Sequence, residues 1–348
     1  MYKLLTLCIL LSNFAFAQTT DEKHLKNLQQ LTYGGDNAEA YFSFDNQSLS
    51  FQSNNKKWGL NCDQIFNLDI NKAAKDSAYL PKMISTGEGR TTCSYFLKDG
   101  KHILYAGTQA ADKACPPLPE ARKDNKYLWA VYESFDIYVA DLNGKIVSQL
   151  TNNPGYDAEA TVSPDGKKIV FTSTRSGDLE LWTMDIDGKN LKQITNGLGY
   201  DGGAFFSPDG KKLVFRASRP TAPEEVIEYK TLLAEGLVAP TNMEIYTCNV
   251  DGSELTQITK LGKANWAPFF HPAGKKIIFS SNHHSTRGYD FQLYMINIDG
   301  TGLEAITNKS IFNAFPMFSY DGKKLIFSSN RNNHGTRDTN LFIADWVD

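Results

Sequence analysis

The sequence predicts an all-β chain folded as a six-bladed β-propeller. Each blade has four antiparallel strands, and the N-terminal strand closes the ring by pairing with the C-terminal blade. Three observations predict this. A tight-turn motif recurs six times along the 348 residues. Each copy is followed by the same succession of short alternating strand patterns. The two chain ends carry complementary fragments of that unit. Composition agrees: 12% aromatic residues and 26 glycines favour strands joined by turns. A net charge of −3 argues against a general nucleic-acid surface. With 41% hydrophobic and 22% charged residues, the chain is neither disordered, collagenous nor coiled-coil.

The turns come first. They are Ser43-Phe44-Asp45-Asn46, Leu97-Lys98-Asp99-Gly100, Ser163-Pro164-Asp165-Gly166, Ser207-Pro208-Asp209-Gly210, His271-Pro272-Ala273-Gly274 and Ser319-Tyr320-Asp321-Gly322. Pro pre-sets φ at the second turn position, and Asp, Asn and Gly accept the tight geometry that follows. His271 occupies a serine slot of this turn, so its role is structural. Strand A precedes each turn and strand B follows it, as in Lys168-Ile169-Val170-Phe171. Strand C alternates, as in Glu180-Leu181-Trp182-Thr183-Met184. An Asp-Gly or Asn-Gly hairpin then leads to a short strand D, such as Gln193-Ile194-Thr195. After Thr339 to Trp346 no strand D remains. Its equivalent, Asn27 to Thr32, stands at the N-terminus. Pairing the two removes exposed sheet edges, which a stacked solenoid would leave open.

This turn-and-strand signature resembles the TolB-like, WD40-like or PD40, repeat over about residues 27–348. The resemblance implies a six-bladed propeller of a bacterial envelope. TolB itself carries an additional N-terminal α/β domain, and related propellers precede peptidase domains. Neither has room here, so the resemblance implies a propeller standing alone.

Residues 1–17 read as a secretory signal peptide. Lys3 is the charged n-region, Leu4 to Phe16 the apolar stretch, and Ala15-Phe16-Ala17 the cleavage site. Residues 18–26 form an N-terminal extension. A periplasmic or secreted protein is therefore expected, without an integral membrane segment in its mature form. Cys62, Cys93, Cys115 and Cys248 remain, and they allow three full pairings. Cys93 with Cys115 is preferred, because one strand separates them and Cys115 lies in a loop free to fold back. Cys248, in a strand-like run, is expected to be a buried free thiol.

The long connections are the B–C segments 109–134, 219–242, 282–290 and 331–339, all on one face. Long loops on one face of a rigid scaffold are where binding usually lives. A helix is expected near 219–242, with Thr221 and Glu224 as a capping box, an apolar stripe of Val226, Ile227, Leu232 and Leu233, and Gly236 as its stop. It either packs over a blade edge or covers the channel mouth. Six residues before each turn stands a column of Asn37, Thr91, Asp157, Asp201, Asn265 and Asn313. Two roles fit it: side chains that cap turns, or a ring of oxygen ligands at the channel mouth able to hold Ca²⁺ or polar ligand groups. Glu39 and Glu159, two positions further on, add charge. Arg90 approaches the mouth, and Trp266 either stacks on a ligand there or packs between blades. Arg175, Arg219 and Arg331 recur at one repeat position, which suggests ion pairs to the neighbouring blade.

The sequence holds no G-x-S-x-G elbow, H-E-x-x-H, P-loop or C-x-x-C motif. His283, His284 and His334 fall on B–C loops of adjacent blades and form the one candidate transition-metal set. The expected function is a non-catalytic binding or scaffold module, monomeric, with no required cofactor. It engages an envelope or secreted protein, a peptide or a polysaccharide through the loop-rich face and central channel. The alternative is a metal-assisted carbohydrate lyase or hydrolase.

Overall fold

A computed structural model describes residues 22–120 and 126–348. The signal peptide, its cleavage site and residues 18–21 of the extension lie outside the described residues. Six four-stranded antiparallel sheets are arranged around a central axis, each in the order A-B-C-D. The six A strands are Asp36–Phe42, Thr91–Phe96, Asp157–Val162, Asp201–Phe206, Asn265–Phe270 and Asn313–Phe318. Each touches strand A of both neighbouring blades, which closes the ring around a channel.

The recurrent turn works through its serine. In blade 3 the Ser163 hydroxyl donates to Asp165 (2.6 Å) and accepts the Lys168 amide (2.9 Å). Gly166 adopts φ 77° and donates to the Ser163 carbonyl. Ser207 and Ser319 repeat the pattern. In blade 5 the His271 ring nitrogen accepts the Ala273 amide instead. Just beyond each turn, strand B contributes one fully buried aromatic: Phe51, Tyr105, Phe171, Phe215, Phe279 and Phe327. Each such side chain contributes on the order of 1.5–3 kcal/mol by leaving water. The repeated turn and the repeated aromatic together set the blade spacing.

Ring closure is as expected, though the strand starts two residues early. Leu25–Gln30 pairs antiparallel with Asn340–Trp346 and supplies strand D of blade 6. The His24 ring stacks on Trp346 (4.8 Å between centroids) and donates from Nδ1 to the Val347 carbonyl at 2.6 Å.

The insertions differ from expectation in detail. Helix α1, Ile70–Lys75, fills the C–D segment of blade 1. Helix α2 spans Pro223–Ala234, with Pro223 at its first position. Its N-cap is Ala222, which has no side-chain oxygen, so the capping box exists only as its acidic half. Glu225, one residue beyond the expected Glu224, accepts from the Thr221 and Ala222 amides. Gly236 ends the helix at φ 70°. Leu232 is buried and Leu233 packs inward, whereas Ile227 is exposed. The disulfide joins Cys62 to Cys115, not Cys93 to Cys115. Cys93 points into the channel, away from the loop that carries Cys115, and is a buried free thiol, as is Cys248.

Candidate functional site

Strand A of every blade slips register against strand B at the same place. The residue at the slip takes a left-handed backbone: Glu39 (φ 53°), Cys93 (47°), Glu159 (58°), Gly203 (60°), Ala267 (47°) and Phe315 (55°). A left-handed conformation costs a non-glycine residue roughly 1–2 kcal/mol. Its effect is to re-aim the side chain, as bulges do. All six residues line one central cavity of about 1020 Å³.

Below this ring the next channel-facing positions close the floor. Tyr41 packs against Tyr95 (5.7 Å) and Phe205 (5.5 Å), and Phe205 against Phe269 (5.1 Å). Above it, the B–C insertions of blades 2 and 4 meet. Trp129–Ala130 pairs antiparallel with Leu237–Val238, and Trp129, Val131 and Val238 face the cavity. Trp266 joins this cover to the barrel of A strands. Its indole donates to the Pro240 carbonyl (2.9 Å), packs on Trp129 (5.1 Å) and stacks on Phe291 (4.3 Å). Tyr229 of α2 donates to Asp178 in blade 3, which fastens the helix side of the cover.

The wall is divided by chemistry. Blades 1 to 4 supply acids and arginines. Glu159 accepts from Thr172 (2.7 Å), the Gly203 amide (2.9 Å), the Tyr200 hydroxyl (2.8 Å) and the Arg216 guanidinium. Burial alone would raise this carboxyl. The Arg216 charge and these hydrogen bonds outweigh it and hold Glu159 below the usual carboxylate range. Arg216 also lies over the Tyr200 and Trp129 rings, at 4.9 and 5.2 Å. Two glycines make room for the pair. A Cβ on Gly202 would stand 2.4 Å from the Glu159 carboxylate, and one on Gly203 2.0 Å from the Arg216 guanidinium.

Glu39 differs: its carboxylate has no cationic hydrogen-bond partner among the described residues. The Cys93 thiol donates to it at 2.8 Å. Burial pushes the Glu39 carboxyl up to about 7. The Cys93 bond and the Arg216 charge lower it, while Glu159 and Asp63 raise it. Burial, then the charges of Glu39 and Glu159, drive the Cys93 thiol well above its ordinary value, so it stays a neutral donor. Arg90 is paired with Asp63. Burial raises the Asp63 carboxyl even so, and the Arg90 charge opposes the rise. Blades 5 and 6 supply the opposite wall, with Ala267, Phe291, Phe312 and Phe315. Tyr127, Leu118 and Tyr289 at the rim are 63%, 70% and 51% exposed.

The residues singled out by sequence fall into three groups. Asn37, Glu39, Arg90, Thr91, Glu159 and Trp266 line the cavity. The rest of the column is turned to scaffold bonds. Asp157 is paired with Arg175 and Asp201 with Arg219, each within its own blade rather than across to a neighbour. Asn313 accepts from Arg331 and donates to Gln292. Asn265 donates to the Met243 and Gly262 carbonyls and accepts from Ser281. Asn37 also donates to backbone carbonyls, those of Gly34 and Thr339. The third group is the histidines. His283 and His284 are adjacent (5.9 Å between rings), bonded to Ser281 and to Tyr294 respectively, and burial lowers the pKa of both. His334 is exposed in the blade 6 loop. Among the described residues no group of three or more His, Cys, Asp or Glu side chains converges as a metal site.

Cys93, Arg216, Tyr200 and Asp63 were not singled out as site residues. Arg216 did leave a signal. It follows the buried aromatic of strand B, where the other blades carry Gln52, Ala106, Thr172, Ser280 and Ser328.

Comparison with known proteins agrees with this architecture. Residues 130–219 match the family model described as PD40, TolB beta propeller domain. An uncharacterised protein of Agrobacterium fabrum is 38% identical over 48 residues, which is 14% of this chain and 16% of that protein's length. The structure of a TolB candidate from Agrobacterium tumefaciens superposes with a TM-score of 0.56 at 19% identity, covering 92% of this chain and 97% of the other. TolB from Acinetobacter baumannii gives 0.52 at 18% identity, covering 89% and 63%. An oligogalacturonate lyase from Vibrio parahaemolyticus gives 0.53 at 14% identity, covering 91% and 79%. These structural likenesses are likenesses of fold.

Proposed function

We propose that this six-bladed β-propeller, which resembles the PD40 TolB beta propeller domain over residues 130–219, is an exported binding module. Its ligand is a segment of an envelope or secreted protein, held in the central cavity on the loop-rich face. The observation that carries this reading is the covered cavity itself. A space of about 1020 Å³ lies at the upper end of the roughly 300–1,000 Å³ typical of ligand sites. Its cover is built from two long insertions joined to each other by a β-pairing and fastened to the ring by a tryptophan contact to blade 5 and a disulfide to blade 1. An insertion kept in place by three devices is a site rather than a surplus loop. Glu39, Glu159, Arg90, Trp266 and Asn37 are its ligand-facing residues. Export is supported by the leader residues and by the disulfide, which belongs to an oxidising compartment. No helix among the described residues is long and apolar enough to cross a membrane.

The metal-assisted lyase reading draws on His283, His284 and His334. Two of them are already engaged by Ser281 and Tyr294. Elemental analysis of untagged protein addresses it directly: a stoichiometric transition metal would move attention to that loop.

The binding reading is tested by photocrosslinking in the native host from a reactive residue placed at Tyr289, on the cavity rim. A discrete adduct is expected, and it is lost when Ala267→Trp fills the cavity. Phe315 occupies the equivalent position of blade 6, so an aromatic side chain is compatible with that backbone. An absent adduct, or one indifferent to Ala267→Trp, overturns the reading.

A further inference from the structure

We infer that the cavity selects a ligand with a cationic amine or guanidinium head on an aromatic or branched apolar body, with Glu39 receiving the head. This rests on the binding reading above and adds the chemistry of the ligand. The argument begins with the charges lining the cavity. Arg90 is taken up by Asp63, and Arg216 by Glu159. Arg287, at the exposed rim, donates to the Tyr289 hydroxyl. On the acidic side Asp36, exposed at the rim, and Glu39, within the cavity, have no cationic hydrogen-bond partner among the described residues, and the one hydrogen bond to the Glu39 carboxylate among them comes from the neutral Cys93 thiol.

The position of Glu39 is as informative as its charge. It sits at the strand A bulge, in a left-handed backbone at φ 53°, on the ring where side chains project to the axis. Blades 4 and 5 meet the same requirement with Gly203 and Ala267, which carry no charge to desolvate. A carboxylate here is costly twice, in backbone conformation and in desolvation. Burial pushes it towards neutrality, to about 7, so near neutral pH it is poised rather than fixed. An incoming cation would compensate the carboxylate in a partly desolvated setting, where a charge-assisted bond is stronger than in water.

The remainder of the cavity fits the rest of such a ligand. Opposite the acids stand Phe291, Phe312, Phe315 and Ala267, and the rim exposes Tyr127, Leu118 and Tyr289. Exposed aromatics gathered around one opening mark an interaction site rather than scattered surface residues. An anionic ligand is disfavoured, because both inner arginines are already neutralised.

A lysine or N-terminal amine within a peptide and a free aromatic amine share this chemistry, and the experiment separates them. Calorimetric titration uses the purified chain, capped Phe-Lys-Phe peptide, the same peptide with norleucine or Glu in place of Lys, and 2-phenylethylamine. The lysine peptide is expected to bind at least about 10-fold more tightly than the norleucine peptide, and Glu39→Gln should remove that advantage. Its affinity should fall as pH drops from 8 to 6, because Glu39 protonates. The titratable or charged groups acting on Glu39 are Cys93, Tyr41, Glu159, Arg216 and Asp63. Binding of the free amine alone assigns the site to a small ligand; binding of the peptide alone assigns it to a chain segment. Equal affinity for lysine and norleucine peptides in the unsubstituted chain overturns the inference whether or not Glu39→Gln folds. So does preference for the Glu peptide, or binding of no probe. In each of those cases the Tyr289 adduct still decides separately whether the cavity binds a partner.

Discussion

Glu39 and Glu159 occupy the same position of two repeats, yet their environments oppose one another. Glu159 is held low by Arg216, so its contribution to stability is present above the unfolded carboxylate value and fades only as pH falls through its depressed folded value. Glu39 is raised, to about 7, so the folded chain binds a proton more tightly than the unfolded chain. Its contribution is complete below the unfolded value near 4.5 and is lost as pH rises through about 7. Relative to Glu39→Gln, the unsubstituted chain should therefore lose about 2 kcal/mol between pH 5 and pH 8, measured by denaturant unfolding at each pH, the figure being discounted for the carboxylate's residual access to solvent. Taking the difference removes Glu180, whose carboxyl burial also raises, to about 8. A flat difference would mean that Glu39 is solvated in the folded protein. Gly203 gives a second prediction. Gly203→Ala imposes a Cβ at φ 60° against the Arg216 guanidinium, displaces it and strands the Glu159 charge. A loss of about 2–4 kcal/mol in unfolding free energy is expected. Sequence picks out Glu39 and Glu159 but not Cys93, Tyr200, Gly203 or Arg216, for a physical reason. The column Asn37, Thr91, Asp157, Asp201, Asn265 and Asn313 stands out because five of its six members are Asn or Asp. Uniform positions in a repeat serve what all repeats share, and here that is bonding within the scaffold. The bulge ring of Glu39, Cys93, Glu159, Gly203, Ala267 and Phe315 is chemically mixed, because one asymmetric site is distributed over six similar blades. Strict alternation along strand A also conceals it, since the bulge displaces the side chains from that pattern.

The turns and strand patterns were legible because each is local, written in three to eight residues and repeated. The insertions were legible only as lengths. That 109–134 and 219–242 would pair with each other could not be read, since Trp129–Ala130 and Leu237–Val238 are two-residue strands far apart in sequence. The cysteine pairing failed likewise. Proximity in sequence favoured Cys93 with Cys115, whereas the fold places Cys115 beside Cys62, 53 residues away, and turns Cys93 to the channel. A cross-link over that separation restricts the unfolded chain by roughly 4 kcal/mol in the loop-entropy account. Because the tied segment is an insertion, much of the consequence should be local. Cys62→Ser with Cys115→Ser is expected to make the blade 2 insertion the first site of limited proteolysis while the remaining propeller resists. Uniform cleavage throughout would instead show that the disulfide holds the ring.

At the scale of the whole molecule the chain must close a circle with a linear polymer, and it does so by giving blade 6 strands from both ends. Leu25–Gln30 covers the edge of Asn340–Trp346, whose inner neighbour is Lys324–Ser329. The junction is reinforced beyond its backbone pairing. Glu22 accepts from Arg331 at 3.1 Å, His24 stacks on Trp346, and the His24 ring lies 3.1 Å from Glu304 of blade 5. These contacts bind the N-terminal strand to both blades 5 and 6. Removing residues 22–30 would leave one long strand with a free hydrogen-bonding edge and expose the Leu25 and Trp346 cluster. An uncovered edge of this kind pairs with another chain. The truncated protein is therefore expected to gain mass in light scattering relative to the full chain and to unfold about 5–10 °C lower, a loss of a few kcal/mol being worth ~2–4 °C per kcal/mol at this size or somewhat less. Adding the peptide Leu25–Gln30 in trans should restore part of that stability, because the vacant position is a preformed template. If truncation leaves both mass and melting unchanged, the five complete blades and the three remaining strands of blade 6 suffice to hold the ring, and the cavity they enclose would be independent of the closure.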